Sequence, residues 1–425
     1  MKKQFLPVIL IAAVLFTACG SVAKSDEGTV ESTLAAPADA AESSTAPVQG
    51  TVLDADNPCT PYRFINTLLG APYPGLPPVT ADDFIEGPMD APVTYIVYSE
   101  PQCPYCALFD NVMNDFLRAT DKVRVVYRFR PFSPEMHDKS VILSQAMVAA
   151  NLQGKFSEFK EWIFLHQNKE LGIPAAAGFA DEDFWINVPP AEINDWLAQR
   201  VSELGIDPDQ LLKDMVSAEV VQAVSSATES ANALGINSTP SLFVDGYKFP
   251  ANWSEQGILP LITELVLNKD TKGLACPETV IDTTKTYTAT LSTSKGDITV
   301  DLFADKAINA VNSFVFLARN DWYDDLVILS PEELIVTGDP TGTFYDGPGY
   351  AYLDEVSPAL NFEEAGMLAT FYAEPNRNGS VFLISKKPLP ELEGRTIFGK
   401  VTSGLDVVTS LEDGDKILDV TIIEK

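Results

Sequence analysis

Two cysteines separated by two residues are the feature of this sequence best suited to chemistry. Cys103 and Cys106 enclose the dipeptide Pro104-Tyr105. At this spacing the two thiols can alternate between a dithiol and a disulfide, which is the chemistry of thiol–disulfide exchange. Half of a zinc site looks the same, but such a site needs two more ligands, and the sequence has no second Cys-x-x-Cys pair and only 2 histidines. We expect a redox pair and no metal; a purely structural disulfide is the alternative.

The residues around the pair predict a strand that runs into a helix. Val93–Tyr98 is rich in β-branched and aromatic residues, and apolar residues recur at helical spacing over Ala107–Thr120. Pro104 fits the first helical turn, where its missing N–H is no loss. Cys103 then stands at the helix N-terminus, where free N–H groups and the helix dipole lower a thiol pKa. We therefore expect Cys103 to be the nucleophile and Cys106 to resolve the mixed disulfide.

The residues that follow also predict alternating strands and helices. Val123–Phe129 is typical of a second strand, and helical patterns cover much of the chain from Ser140 to Gly235. A third strand is predicted at Ser241–Val244, followed by a turn, a short fourth strand and a closing helix at Gln256–Leu267.

From about Val93 to Leu267 the chain resembles the DsbA-like branch of the thioredoxin superfamily. The matching features are the strand–Cys-Pro-Tyr-Cys–helix unit, a basic–aromatic strand ending at Arg130–Phe132 and followed by His137, a helical insertion, and Thr239-Pro240 before a strand. The resemblance implies an α/β thioredoxin-like fold interrupted by that insertion.

The resemblance also implies which residues act. In the family, the proline equivalent to Pro240 follows a cis peptide bond and lies against the active-site disulfide, where its neighbours pair with the substrate backbone. Cys103 and Cys106 would be catalytic, with no cofactor besides the redox-active disulfide. The implied substrate-binding positions are Pro104, Tyr105, Thr239 and Pro240. His137 is expected to be a plain surface residue. Family members are oxidants, isomerases or reductants, and we favour oxidation or isomerisation.

The first residues carry the pattern of an export signal. Lys2-Lys3 precede an apolar run, Phe5–Phe16, that is shorter than the roughly 20 residues needed to span a bilayer. Thr17–Cys19 resembles the lipobox of bacterial lipoproteins, which implies lipidation of Cys19 and a membrane-anchored protein of the bacterial cell envelope. An ordinary cleaved signal with an incidental cysteine is the alternative. Residues 20–57 are dominated by Ala, Ser, Thr, Pro, Asp and Glu, a composition that predicts a disordered tether.

Two cysteines outside the redox pair flank the first domain. An exported chain sits where disulfides persist, so Cys59 and Cys276 could form a disulfide that joins the two ends of that domain. Two free, buried thiols are the alternative.

Charge and length limit the remaining choices. A formal net charge of −31, with 29 basic residues, argues against nucleic-acid binding and against a basic membrane-docking face. The chain beyond the tether exceeds one comfortable hydrophobic core, so two domains are expected. We divide the chain into a signal peptide (1–19), a tether (20–57), a lead-in segment (58–91), a DsbA-like domain (92–276), a linker (277–286) and a C-terminal domain (287–425).

The C-terminal domain predicts a closed β-barrel. Tyr287–Thr293 alternates like a strand, a hairpin turn leads into Ile298–Phe303, and many short strands with Gly/Pro turns follow one helix. This domain resembles the cyclophilin family, which implies a mainly β cyclophilin-like barrel. The strings that carry the resemblance are Thr293–Ile298, Asn312–Arg319, Gly338–Thr343, Gly347–Tyr350, Pro375–Ser380 and Phe398–Val401.

The positions that carry isomerase chemistry in that family are changed here. The family's Phe-His-Arg string has no counterpart in Tyr323–Pro331, which contains no arginine. Glu333–Asp339 stands where the family has Phe-Met-x-Gln-Gly-Gly-Asp, and Val381 stands where it has a glutamine. Thr396 replaces the pocket histidine. We expect a cyclophilin scaffold whose isomerase activity is weak or lost.

These features together predict an extracytoplasmic thiol–disulfide oxidoreductase with an appended client-binding domain. Its expected partners are exported unfolded or thiol-containing proteins, a membrane redox partner that recycles the pair, and the membrane itself through the lipid anchor. Two other interpretations stay open: a cyclophilin-type prolyl isomerase with an accessory thioredoxin fold, and a non-enzymatic, surface-tethered client-binding protein.

Overall fold

The computed structural model describes residues 59–269, 273–372 and 374–425. The predicted signal peptide, Cys19 and the tether lie outside these residues. Across the described ranges, no helix has the length and apolar character needed to cross a membrane.

The first half of the described chain alternates strands and helices as the sequence predicts. Short 3₁₀ turns connect its fourth and fifth helices. The elements are, in chain order, β1 (Thr60–Pro61), α1 (Phe64–Leu69), β2 (Phe84–Glu86), β3 (Val93–Ser99), α2 (Pro104–Ala119), β4 (Val123–Phe129), α3 (Ser140–Leu152), α4 (Phe156–Leu165), α5 (Ile193–Ala198), α6 (Pro208–Met215), α7 (Ala218–Ala233), β5 (Ser241–Val244), β6 (Tyr247–Lys248) and α8 (Ile258–Leu267).

A mixed sheet with the strand order β2-β4-β3-β5-β6 forms the centre of this half. β3 and β4 are parallel, and the other neighbours are antiparallel. Val93, Tyr95 and Val97 of β3 face the larger core, whereas Ile96 and Tyr98 face a smaller cluster on the opposite side. Because both faces of β3 are covered, its sequence is a continuous apolar run rather than an alternating one.

Helices α3 to α7 form the insertion between β4 and β5. α3 packs against α4, α6 and α7, and α4 packs against α2, the helix that follows Cys103. Phe159, Trp185 and Leu211 of the insertion are buried in the same core as β3. The insertion therefore holds the helix that carries Cys106 against the sheet.

The first domain begins earlier than residue 92, where the sequence analysis placed its start. β2 pairs with β4 as an edge strand, and Ile65 and Leu69 of α1 are buried in the core of this domain. Much of the predicted lead-in segment, 58–91, is thus part of the domain. A three-residue edge strand and a six-residue helix are too short to give a periodic signal.

The second half is mainly β. Its elements are, in chain order, β7 (Tyr287–Thr293), β8 (Gly296–Leu302), α9 (Ile308–Ala318), β9 (Leu334–Thr337), β10 (Tyr350–Ala351), β11 (Met367–Thr370), β12 (Phe382–Ser385), β13 (Ile397–Ser403), α10 (Leu405–Ser410) and β14 (Ile417–Glu424).

One curved antiparallel sheet, with the order β14-β7-β8-β13-β11-β12-β9, makes the body of this half. The two edge strands of this sheet, β14 and β9, are linked through residues 327–329 by single bridges. Leu329 pairs with Val336 of β9, and Val327 pairs with Lys416 beside β14. A Cβ atom at Gly338 would lie 2.2 Å from the Ser380 carbonyl oxygen, so only glycine fits this crossing of two backbones.

The segments that flank the first domain are both attached to the second. Cys59 and Cys276 form a disulfide, and both residues pack against the core of the C-terminal half. Residues 277–286, predicted as a linker, are also attached to that half: the Val280 N–H donates to Asn312 of α9, and Ile281 is buried. The disulfide thus joins the two ends of the first domain on the surface of its neighbour.

A buried cation fixes α2 to the insertion. Lys160 of α4 is 2% exposed, and its ammonium group lies 2.7 Å from Glu86 Oε2 and also pairs with Asp110 of α2. Burial alone would lower the pKa of Lys160, but the two carboxylates outweigh burial and raise it. The charged lysine neutralises two carboxylates that have left water.

Lys160→Met is expected to lower the free energy of unfolding by about 3–5 kcal/mol at neutral pH, because Glu86 and Asp110 then stay buried without their cation. The loss should shrink as the pH falls, because burial raises the pKa of Asp110 and protonation then removes its unpaired charge. Urea unfolding followed by tryptophan fluorescence measures both effects. Lys155→Met, whose partly exposed side chain pairs with Glu158, is the control and should cost less than about 1 kcal/mol. Equal stability of the two variants would contradict this role.

Candidate redox-active site

The redox pair lies where the central strand β3 passes into helix α2. Cys103 caps the helix with extended backbone angles, φ −71° and ψ 120°, and Pro104 occupies the first helical position. The Cys106 and Ala107 N–H groups both donate to the Cys103 carbonyl oxygen, at 3.1 and 3.3 Å. This geometry puts the Cys103 side chain at the positive end of a 16-residue helix.

Cys103 has the lower pKa of the two thiols. It is 5% exposed, and its Sγ donates to the Thr239 carbonyl oxygen at 3.3 Å, directly before the cis peptide bond to Pro240. A hydrogen bond from the Cys106 thiol is the main cause that lowers the pKa of Cys103 to about 7, against the opposing effect of burial. The contact with Thr239 lowers this pKa too.

Cys106 has the opposite character. It is fully buried, and burial raises its pKa well above the usual thiol value. The neighbouring Cys103 sulfur acts in the same direction, and contacts with Ser99 and the Glu100 backbone oppose it only in part. Near neutral pH one sulfur can therefore be a thiolate while the other keeps its proton, which supports the predicted roles of nucleophile and resolving thiol.

A buried carboxylate network lies beside the pair. Glu100 is fully buried; its Oε1 lies 2.5 Å from His137 Nδ1, and its Oε2 accepts from Ser140 Oγ at 2.5 Å and from the Gln102 N–H at 3.0 Å. Burial raises the pKa of Glu100, and its charge raises that of Cys103. The expectation that His137 is a plain surface residue is therefore wrong, because its ring is bonded to this carboxylate.

One further positioning residue gave no local signal in the sequence. Gln167 is buried, and its side-chain amide donates to the carbonyl oxygens of Pro101 at 2.6 Å and Cys103 at 3.1 Å. It lies 64 residues after Cys103. Only the folded insertion brings Gln167 to the loop, where it holds the loop backbone that presents the thiol.

The other predicted site residues form the rim around Cys103. Tyr105 is 64% exposed, Pro104 is exposed, and Thr239 and Pro240 are half-buried on the facing loop. Such a rim can contact the backbone of an extended client chain. Among the described residues, no group of three or more His, Cys, Asp or Glu side chains could hold a metal ion.

The changed pocket positions of the C-terminal half are occupied by packed side chains. Thr396 is fully buried, and its hydroxyl accepts from the Glu355 N–H at 2.7 Å. The Arg395 guanidinium stacks over the rings of Phe371 and Tyr372, at 5.1 and 4.6 Å. Val381 lines a cavity of only about 30 Å³ together with these two rings.

Comparisons with known proteins agree with both folds. The model of the family described as cyclophilin type peptidyl-prolyl cis-trans isomerase/CLD matches residues 288–424. The peptidyl-prolyl cis-trans isomerase-like 1 of Aspergillus niger is 37% identical over 150 residues, which are 31% of this chain and 93% of that protein. The chain belongs to the cyclophilin family. The Rhizopus delemar protein of the same name is 40% identical over 124 residues, covering 28% of this chain and 75% of that one.

The cyclophilin domain is fused to a thioredoxin-like domain, because the family model described as thioredoxin matches residues 80–264. A cyclophilin type peptidyl-prolyl cis-trans isomerase from Cryptosporidium parvum matches 33% of this chain and 99% of its own at 28% identity and a TM-score of 0.31. A thioredoxin-like oxidoreductase from Silicibacter pomeroyi matches 44% of this chain and 93% of its own at 24% identity and a TM-score of 0.34. The predicted fold class, a thioredoxin-like α/β domain with a helical insertion followed by a β-rich cyclophilin-like domain, is confirmed.

The pKa difference between the two thiols can be measured directly. Alkylation of the reduced chain by iodoacetamide should be half-maximal near pH 7 at Cys103, because the thiolate is the reacting form. Cys106 should stay unmodified at neutral pH. Mass mapping of the modified peptides measures the alkylation of each cysteine. A Cys103 midpoint near the ordinary thiol pKa would contradict the claim that the site lowers the pKa of this thiol.

Glu100→Gln should move the Cys103 alkylation midpoint to lower pH, because it removes a negative charge that raises the thiol pKa. The same alkylation series measures the shift. Glu135→Gln removes an exposed carboxylate two residues before His137 and should leave the midpoint unchanged. A midpoint that stays fixed or rises in Glu100→Gln would show that the Glu100 charge does not act on the thiol.

Proposed function

We propose that this chain is an extracytoplasmic, DsbA-like thiol–disulfide oxidoreductase that oxidises or isomerises disulfides in exported proteins. The observation that carries the proposal is the asymmetry of the pair: Cys103 has a pKa near 7 at a helix N-terminus, and Cys106 is a fully buried thiol behind it. A purely structural disulfide has no need of a stabilised thiolate beside an exposed rim.

The exchange reaction follows from this asymmetry. In the oxidised chain, a client thiolate attacks the Cys103 sulfur; a mixed disulfide forms, and Cys106 leaves with the electron pair and takes up a proton. A second client thiolate then attacks the client sulfur of the mixed disulfide and expels Cys103, whose thiolate is a good leaving group because its pKa is low. The client gains a disulfide, and the pair becomes a dithiol. A membrane redox partner would return the two electrons to an acceptor.

The disulfide between Cys59 and Cys276 supports the proposed compartment. Disulfides persist in secreted and periplasmic proteins and are rare where glutathione and thioredoxin keep thiols reduced. Export by the signal peptide and anchoring through lipidated Cys19 belong to the same proposal. Expected clients are unfolded or thiol-containing exported proteins, and the net charge of −31 argues against nucleic acid as a partner.

Replacing Cys103 separates an enzyme from a client-binding protein. Cys103→Ser should reduce the oxidation of a reduced, unfolded test protein to the uncatalysed background, because the nucleophilic sulfur is lost. Cys106→Ser, mixed with a client that already contains a disulfide, should accumulate the mixed disulfide, because Cys103 attacks the client disulfide and no Cys106 thiol remains to release it. Free-thiol titration and non-reducing electrophoresis report these outcomes. Cys59→Ser/Cys276→Ser is the control and should keep the exchange rate. Oxidation at the same rate in Cys103→Ser as in the wild type would exclude the redox enzyme and leave the prolyl isomerase and the non-enzymatic interpretation.

A prolyl isomerase is the second candidate, because the chain belongs to the cyclophilin family. We propose that this activity is weak or lost, since Val381 and Thr396 replace polar pocket residues of the family and the cavity beside Val381 is about 30 Å³. Isomerisation of a prolyl peptide by the full chain should stay near the uncatalysed rate when an active cyclophilin is the positive control. A rate within tenfold of that control would overturn this part of the proposal.

A further inference from the structure

The first described residues lie across the cyclophilin domain, and we call Cys59–Phe64 the strap. Thr60 and Pro61 pair antiparallel with Ala351 and Tyr350. The Tyr62 N–H then continues the pairing by donating to the Gly349 carbonyl oxygen at 2.9 Å. The strap is thus an extended peptide that adds a short strand to the domain.

A buried ion pair is the strongest contact of the strap. The Arg63 guanidinium lies 2.8 Å from Asp346 Oδ2, and the two side chains are 11% and 3% exposed. Burial raises the pKa of Asp346, and the guanidinium acts against that rise. The carboxylate is a site for a cationic side chain, and the strap supplies that cation.

Aromatic contacts surround this ion pair. Tyr62 donates its hydroxyl to Glu374 at 3.1 Å, and the Arg377 guanidinium lies 5.0 Å from its ring centroid. Phe64 packs against Tyr345 with ring centroids 5.4 Å apart. The cyclophilin domain therefore contacts each side chain of the aromatic–basic–aromatic triplet Tyr62-Arg63-Phe64.

The strap covers the cavity beside Val381, where the family has its isomerase pocket. Tyr62, Arg63 and Phe64 line the 30 Å³ cavity together with residues of the cyclophilin domain, among them Phe371 and Val381. A cavity of that size has room for about two water molecules. Another peptide can enter only if the strap leaves.

Two attachments hold the strap in place. At its start, Cys59 is bonded to Cys276, whose neighbour Leu274 donates its N–H to the Pro348 carbonyl oxygen at 2.6 Å. At its end, α1 buries Ile65 in the core of the thioredoxin-like domain. No residue of the strap is itself fully buried, so little apolar surface holds it once the first attachment is cut.

We propose that the strap is a built-in ligand of the cyclophilin domain and that the disulfide between Cys59 and Cys276 is its latch. An external dithiol opens the latch. Its thiolate attacks one cysteine sulfur and expels the other, its second thiol then displaces the first cysteine from the mixed disulfide, and the products are two protein thiols and the reductant's disulfide. The freed groove then binds extended client segments in which a basic residue lies between aromatic residues. This regulation does not depend on exchange at Cys103.

Hydrogen–deuterium exchange of the full chain tests the latch. In Cys59→Ser/Cys276→Ser, amides of residues 60–64 and 349–352 should exchange at least tenfold faster than in the oxidised wild type. Amides of β3 should be unchanged, which shows that the fold is intact. If the double variant folds poorly, reducing the wild-type chain with a phosphine gives the same comparison. Unchanged exchange at residues 60–64 after either treatment would overturn the latch.

A labelled peptide with the strap sequence Thr-Pro-Tyr-Arg-Phe tests the ligand. The oxidised wild-type chain should not bind it, whereas Cys59→Ser/Cys276→Ser/Arg63→Ala should bind it saturably, because its own strap is both unlatched and weakened. The same peptide with alanine in place of arginine should bind at least tenfold more weakly. Equal binding to both proteins, or to neither, would overturn the proposal. These results are independent of the Cys103→Ser result, so the two proposals can fail separately.

Discussion

The site depends on one physical constraint: the sulfur atoms of Cys103 and Cys106 are desolvated to different extents. Cys103 must be able to ionise near neutral pH, and Cys106, one helical turn away, must keep its proton. The fold achieves this by ending the buried central strand β3 at a helix N-terminus, with Cys103 at the cap and Cys106 inside the core. The pair needs a rigid support, because a small shift of either sulfur would alter the hydrogen bond that lowers the pKa of Cys103.

Much of the thioredoxin-like domain holds the redox pair in place. Gln167 of the insertion holds the loop backbone, the Thr239 carbonyl meets the thiol from the facing loop, and Lys160 ties α2 to α4 through Asp110. Glu100 acts in the other direction, because its charge raises the Cys103 pKa, and its carboxylate is bonded to His137. The final thiol pKa is thus a balance between opposing groups rather than the effect of the helix alone.

The sequence predicted those parts that carry local patterns. The strands β4 and β5 have the predicted bounds, because β-branched and aromatic residues mark both of them. The sequence analysis did not predict the three-residue strand β2, because a short edge strand has no periodic pattern. It also did not predict the contact between Glu100 and His137, because the two residues lie 37 positions apart. The position of the Cys59–Cys276 disulfide on the cyclophilin domain likewise depends on the docking of the two domains, which no local pattern encodes.

The reduction potential of the Cys103–Cys106 pair, measured by equilibration with glutathione, tests the central claim most directly. A pair that exchanges disulfides with clients should have a potential between about −270 and −120 mV, and values of about −180 mV or higher would match the oxidants and isomerases. Stabilisation of the Cys103 thiolate favours the reduced form and therefore this range. A potential below about −300 mV would mean a structural disulfide and would contradict the account.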